Sequence, residues 1–424
     1  MSRKFRFERT LTVCIAASAL LLAGCSSGDT SENRSGESES GSVVSSKVTV
    51  WHYYTLDNQI GMIDQYKETF LATHPDTEVE YVYVPMDQMN SKLIAAAGAG
   101  TGPDIIVADG FNVGTLAAAE ALAPIDDYWS SYPDANQFSE GALKKVDDKL
   151  FGVQGHVNSL GLWCNMDILK KIGTEPPTTI AELEEAMKAA KDAGYQGITL
   201  SGDPTIQGAF QGYSWWTSEG FNFANPQQAD LAAAFSRVKD WVDKGYLSPQ
   251  VATWDQNVPF SEFLAGNVAF AQNGNWQISA ARDEADFDFL VVPLPLSSTG
   301  KVYLGGESQS IGANSSNPDL AWAFLEETYL SRDGQIQALT AVGSIPTRAD
   351  AGEDPTITDD PILGAFSAAI VDQGAAYPDP EIPSQAVEKT LLAVAQGWSS
   401  ALAGAQSPDD AATKALDAID SSSK

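Results

Sequence analysis

Between Lys47 and Ala108 the apolar residues keep switching period, and that succession limits the fold more than any other feature of the chain. Lys47 to Tyr54 reads as a strand, Asp57 to Thr73 places Ile60, Ile63, Tyr66 and Phe70 on one helical face, and Glu78 to Val84 returns to strand. A helix from Met86 to about Ala97 and a strand from Asp104 to Ala108 complete a β-α-β-α-β run. Such a run starts a parallel sheet with helices on its faces. Ligands of these sheets bind beyond the carboxyl ends of the strands. Here those ends gather Trp51 to Tyr54, Met86 and Asp87, and Asp109, Gly110 and Phe111.

A second unit opens near Gly155. Ser159 to Asn165 reads as a strand, and Thr179-Ile180-Ala181-Glu182 has the form of a capping box. The helix it starts carries Leu183, Ala186, Met187 and Ala190 on one side and stops at Gly194, after which Gly197 to Ser201 resumes strand. Strand-like text returns at Phe287 to Pro295 and Lys301 to Ile311, and from Asp319 the chain is mainly helical. About 378 residues follow Lys47, too many for one typical core, so two domains are expected. No repeat of solenoid period is found.

Ahead of this body, Arg3, Lys4, Arg6 and Arg9 precede an apolar run from Leu11 to Leu22, a secretory signal segment. It ends in Leu22-Ala23-Gly24-Cys25, which resembles the bacterial lipobox; that resemblance implies cleavage after residue 24 and diacylglyceryl modification of Cys25. Two acyl chains hold a protein where one does so only marginally, each buried methylene contributing about 0.8 kcal/mol. The mature chain is thus expected to be tethered rather than spanning. Residues 25–46, rich in Ser, Gly and Glu, read as a flexible tether. Cys164 remains the lone internal cysteine, so an internal disulfide is excluded.

The formal charge is −31, and loss of the basic leader takes the mature chain to about −34. Such a field repels phosphate backbones and argues against nucleic acid as a partner. It also disfavours an anionic substrate. Abundant Trp and Tyr suit aromatic recognition surfaces, although they suit aromatic cores equally well.

Together with Val48-Thr49-Val50-Trp51, further stretches form a recognisable series. They are Gly100-Thr101-Gly102-Pro103-Asp104, Phe263 to Phe270 leading to Gly274-Asn275-Trp276, Gly305-Gly306 before Ser310-Ile311, Ala321 to Leu325, and Ile345-Pro346-Thr347-Arg348. In this order the chain resembles the family-1 extracellular solute-binding proteins of ABC importers, the group that includes maltose-binding protein. The resemblance implies an α/β, two-lobed, type II periplasmic-binding-protein-like fold, each lobe a mostly parallel sheet flanked by helices, joined by crossing segments near 151–158, 302–306 and 343–348. It divides the body into lobe 1 (47–154 and 304–345) and lobe 2 (155–303 and 346–424). It also implies hinge closure on a carbohydrate, an oligosaccharide given the many aromatics, and delivery to ABC permease subunits. The protein is expected to be a monomer without cofactor, to perform no chemistry, and to sit outside the cytoplasmic membrane, anchored through Cys25 on a Gram-positive surface.

A pyranose needs planar hydrogen-bond partners for its hydroxyls and an aromatic ring for its C–H face. Trp276 matches the family's cleft Trp and is the expected stacking platform, against the alternative of packing on a neighbouring helix. Trp215 and Trp216 sit in Tyr213 to Thr217, read as strand or loop, where adjacent side chains diverge and at most one faces a ligand. Trp254 is a weaker candidate of the same kind. Trp51 and Tyr53 alternate at the end of the first strand and share a face; Trp241 and Trp322 fit helical core positions. Asp109 follows a strand end and precedes Gly110, where a carboxylate reaches a diol, unless it merely bonds its own turn. Glu307, Asn158 and Arg348 lie at the implied crossings, beside Gly306 and Asn275, and fit either ligand contact or bonding between lobes.

His52, His74 and His156 show no ligand spacing, and no metal is expected. Gly98 to Gly102 lies between helix and strand, the wrong order for a dinucleotide loop, and is read as a turn. Two other functions fit the composition: an exported carbohydrate-active enzyme using a carboxylate pair, and a surface glycan receptor not coupled to import.

Overall fold

The computed structural model describes residues 46–422. The expected leader, the lipidation site Cys25 and nearly all of the tether fall outside the described residues. Among the described residues, fourteen strands can be named in chain order. β1 (Ser46–His52), β2 (Thr77–Tyr83) and β3 (Ile105–Asp109) come first, then β4 (Leu143–Val146) and β5 (Lys149–Gln154). β6 (His156–Val157) and β7 (Leu160–Asn165) lead to β8 (Gln196–Thr199), β9 (Val268–Gly274) and β10 (Phe289–Val292). The chain returns through β11 (Val302–Leu304) and β12 (Glu307–Ile311), and the short β13 (Ile345–Pro346) and β14 (Gly374–Ala376) follow.

Two sheets carry the body, one ordered β2-β1-β3-β12-β5-β4 and the other β10-β7-β9-β8. The β-α-β-α-β reading holds: β1 pairs parallel with both β2 and β3, and the helix Asp57–Thr73 has the expected bounds. That helix buries Met62, Ile63, Tyr66 and Phe70. The expectation that each sheet is mostly parallel is corrected. β12 runs antiparallel to β3 and β5, β4 and β5 form an antiparallel hairpin, and β7 is antiparallel to both β9 and β10. The reason is connectivity, since β12 enters the first sheet on the return path and not by a helical crossover, which is what forces parallel pairing. Asp147 and Asp148, both at positive φ, make the tight β4–β5 turn that two-residue hairpins favour.

Alternation along β3 shows how the first sheet is covered on both faces. Ile105 and Val107 pack into one apolar cluster with Val48, Tyr66, Phe70 and Trp322, while Ile106 and Ala108 pack into another with Val84, Leu93 and Leu116. The second sheet is covered likewise: Leu160, Leu162 and Cys164 of β7 join the cluster containing Trp215, Trp241 and Trp398, and Trp163 joins Phe260 and Phe366 on the opposite side. The capping box at Thr179 forms, its hydroxyl accepting from Glu182 N while Glu182 accepts from Thr179 N. Such a cap contributes about 1 kcal/mol to the helix Ile180–Asp192. Asp104, in the Gly-Pro-Asp stretch, accepts from Thr49 N and from Ser315 and Ser316, and so fastens β1 to the loop after β12. Among the described residues no helix is long and apolar enough to cross a membrane.

Candidate binding cleft

The strand path passes between the two sheets at three places, and these lie side by side. Asn158 and Gly305 exchange backbone hydrogen bonds of 3.0 and 2.8 Å, and β13 pairs with β6. Asn275 binds across the group: its Oδ1 accepts from Ser159 N at 2.7 Å, and its Nδ2 donates to Asn158 Oδ1 and Gly343 O. Gly306, at φ +123°, would put a Cβ 2.5 Å from His156 O, so only glycine lets this segment lie so close to its neighbour.

Next to these crossings opens a cavity of about 560 Å³, large enough for a small glycan. From the six-stranded side it is lined by Tyr53 after β1, Asp87 after β2, Asp109 at the end of β3 and Glu307 at the start of β12. The first three of these are the strand ends at which the sequence places a ligand, and Glu307 lies at an implied crossing. Asp109 and Glu307 face each other in the β3–β12 register. Each oxygen of Glu307 has a partner, with Tyr53 Oη donating to Oε1 at 2.9 Å and His156 Nε2 standing 2.5 Å from Oε2. Burial opposes its ionisation, but the charge and hydrogen bond of His156 outweigh that and hold the carboxyl below the usual range. Asp109 is left differently. Burial first, and the Glu307 charge second, push its carboxyl up to about 8 against the opposing pull of Lys144, and its Oδ1 has no hydrogen-bond partner.

The other wall is aromatic. Trp276 begins a turn at the end of β9, and its ring lies back over Gly274, where a Cβ would be 1.9 Å from the indole. Phe210 stands 6.3 Å from Trp276 and 5.3 Å from Tyr377, ring centre to ring centre. Gln207, Asp255, Gln256 and Glu388 add polar groups to this side, and Asn90 Nδ2, from the opposite wall, donates to Glu388 at 2.9 Å.

Six of the twelve residues singled out from sequence therefore line the cavity: Tyr53, Asp109, Asn158, Trp276, Gly306 and Glu307. The other six do not. Trp215 and Trp216 lie in a helix, Ile206–Ser218, and not in strand or loop; both are buried, and Trp215 donates to Gln272. Trp254 packs against the same core cluster, and Trp51 packs below the first sheet on the face it shares with Tyr53. Asn275 is wholly buried in the crossing. Arg348 spends its guanidinium on Asp134, Asp350, Tyr132 Oη and Leu330 O, which ties down a crossing segment away from the cavity. Trp241 and Trp322 are core residues, as expected.

Phe210, Tyr377, Asp255 and Glu388 line the cavity without having been singled out. Only Phe210 carried a sequence signal: Ile206 and Phe210 stand one helical turn apart and both reach the cavity.

The profile described as "bacterial extracellular solute-binding protein" matches residues 62–365. A maltotriose-binding protein of Pyrococcus abyssi is 28% identical over 77% of this chain and 72% of its own length. A galactooligosaccharide-binding protein of Bacillus subtilis is 26% identical over 87% and 86% respectively. Among solved structures, the GacH receptor of Streptomyces glaucescens, determined unliganded and with acarbose, superposes with a TM-score of 0.79 at 25% identity, covering 89% of this chain and 98% of the other. The two sheets, the returning β12 and the three adjacent crossings are thus the type II periplasmic-binding architecture, and the chain belongs to the bacterial extracellular solute-binding protein family.

Proposed function

We propose that this protein captures a carbohydrate, an oligosaccharide, in the cleft and passes it to the permease of an ABC importer. The observation that carries the reading is the pairing of walls around one cavity. Trp276, Phe210 and Tyr377 offer flat apolar faces, and Asp109, Asn158 and Glu307 offer planar polar groups, the two things a pyranose requires. The names of the Pyrococcus and Bacillus relatives point the same way. The body divides, on this reading, into lobe 1 (47–154 and 304–345) and lobe 2 (155–303 and 346–424). A ligand touching both walls only when they are close favours the closed form by its differential contacts.

The leader ending at Cys25 makes the protein a lipid-anchored receptor outside the cytoplasmic membrane, a reading supported by similarity to a Bacillus subtilis lipoprotein, 21% identical over 65% of this chain. The sugar leaves uncut, a reading that the binding-protein relatives support.

Calorimetric titration with maltotriose and galactooligosaccharides tests this. Binding at micromolar Kd or tighter is expected, weakened more than tenfold, about 1.4 kcal/mol, by Trp276→Ala. Heat from no sugar, with a folded sample, would sink the carbohydrate reading, and shortened sugars after prolonged incubation would replace it with an enzyme.

A further inference from the structure

The acidic groups of the cleft are unequally compensated. Behind Glu307 stands His156, and near Asp109 stands Lys144, whose ammonium comes within 3.5 Å of the Cβ position of Gly110. Asp87, Asp255 and Glu388 line the same cavity, and among the described residues none of them forms an ion pair. Among the described residues, no Lys, Arg or His lines the cavity. Asp87 belongs to the wall of the six-stranded sheet and Glu388 to the helix Val387–Leu402 of the other, and Asn90 already joins Glu388 across the gap. Closing the cleft therefore concentrates negative charge in a space from which water is being displaced, and like charges brought together in a medium of low dielectric repel strongly.

A second, independent observation is Asp109 itself. It is nine-tenths buried, it lines the cavity, and its Oδ1 has no partner. A buried polar oxygen without a partner costs about 1–3 kcal/mol, which a polar group of a ligand would return. The opposite wall adds ring faces, Trp276, Phe210 and Tyr377, to which cations are attracted. A cleft of one sign with apolar walls also focuses its field and steers cations inward, and here the whole chain, at −31, adds to that field.

We propose that the ligand is an amine-bearing sugar, a glycan with at least one protonated amino group, whose ammonium is held at the acidic lining of Asp87, Asp255 and Glu388. This rests on the carbohydrate reading above and narrows it. Neutral sugars enter the same cleft, but they leave its charge uncompensated and bind more weakly.

The test uses matched pairs: maltotriose with its 6-amino-6-deoxy derivative, and cellotriose with the chitosan trisaccharide, each titrated calorimetrically into the protein at pH 6.5. In any pair that binds, the amine is expected to bind at least tenfold tighter at 20 mM salt, with an advantage that shrinks at 300 mM. The double variant Asp255→Asn, Glu388→Gln should lose the amine preference, read as the ratio of amine to neutral affinity within each pair. Both substitutions retain the acceptors that cap Asn257 and Val258 and bind Asn90, so unfolding midpoints should stay close to the parent's. Neutral sugars binding as tightly as their amine partners would overturn the inference and leave the carbohydrate reading standing. An amine advantage that survives the double variant would overturn the acidic lining as its cause. No heat from any member of either pair or from galactooligosaccharides would remove both readings together.

Discussion

The two walls of the cleft differ in both chemistry and support. On the six-stranded side, Tyr53, Asp109 and Glu307 sit on strand ends whose positions are fixed by backbone register, and they present directional acceptors and donors. On the other side, Trp276, Phe210 and Tyr377 come from a turn, a helix and a loop segment, and they present ring faces. Hydrogen bonds tolerate little displacement, whereas a stacked ring accepts a sliding partner. Strand ends held in register thus carry the groups that need accuracy, and elements outside the sheet carry those that need area.

Three measurements probe that division. The largest effect belongs to Glu307→Ala. It removes the shared partner of Tyr53 and His156 in a fully buried site and should cost about 3–5 kcal/mol of unfolding free energy by denaturant titration. Because the Glu307 carboxyl is depressed in the fold, its contribution is present above the unfolded value, about 4.3, and is lost as pH falls through the folded one. The parent should therefore lose stability in acid more steeply than the variant. A cost below about 1 kcal/mol would show that the polar wall is not held in the sense argued.

Asp109→Asn comes next, with the opposite sign. A carboxyl raised to about 8 binds its proton more tightly in the fold, so its contribution is complete below the unfolded value near 4 and is lost as pH rises toward 8. The amide should gain roughly 1–3 kcal/mol over the parent at pH 8 and almost nothing at pH 4. Equal stabilities at both pH values would mean that the Oδ1 site is already satisfied. The smallest effect is expected at Tyr83, about half exposed at the mouth of the cavity. Tyr83→Ala should weaken oligosaccharide binding less than threefold and leave stability unchanged. A tenfold loss would place a second stacking platform on the polar wall and blur the comparison.

How far these features were legible depends on whether local sequence or the return path set them. The first three strands, the helix at Asp57 and the capping box at Thr179 follow from local periodicity and capping, and the structure keeps them within a few residues. Asp109 was legible because strand ends carry ligand groups, and Trp276 because the Gly-Asn-Trp stretch is part of the family resemblance read from the sequence. The direction of β12 was not, since nothing within Glu307–Ile311 reveals which neighbours it meets. Trp215 and Trp216 misled for a different reason. Every residue from Gly208 to Ser218 is buried, including polar positions such as Gln211, Ser214 and Ser218, so no solvent-facing side marks which of its rings face the core. Tyr377 enters the cavity from a Pro-rich segment more than sixty residues after β12 with no periodicity to announce it, and Glu388 sits in the first turn of the helix Val387–Leu402, whose period marks its core face and not the cavity.

The lacing of the three crossing segments has a mechanical consequence. The Asn158–Gly305 pair, the β6–β13 pair and the Asn275 fork join neighbouring strands at successive points, as knuckles share one pin. Sliding one sheet past the other would have to break several of these bonds at once, whereas swinging about their common line bends each only slightly. Under the proposed closure, such a joint would confine the motion to essentially one coordinate. On the proposed reading, a ligand that drew the inner walls together would be felt as displacement at the far rim, where a partner gripping only the outer surface would read whether the inside is occupied.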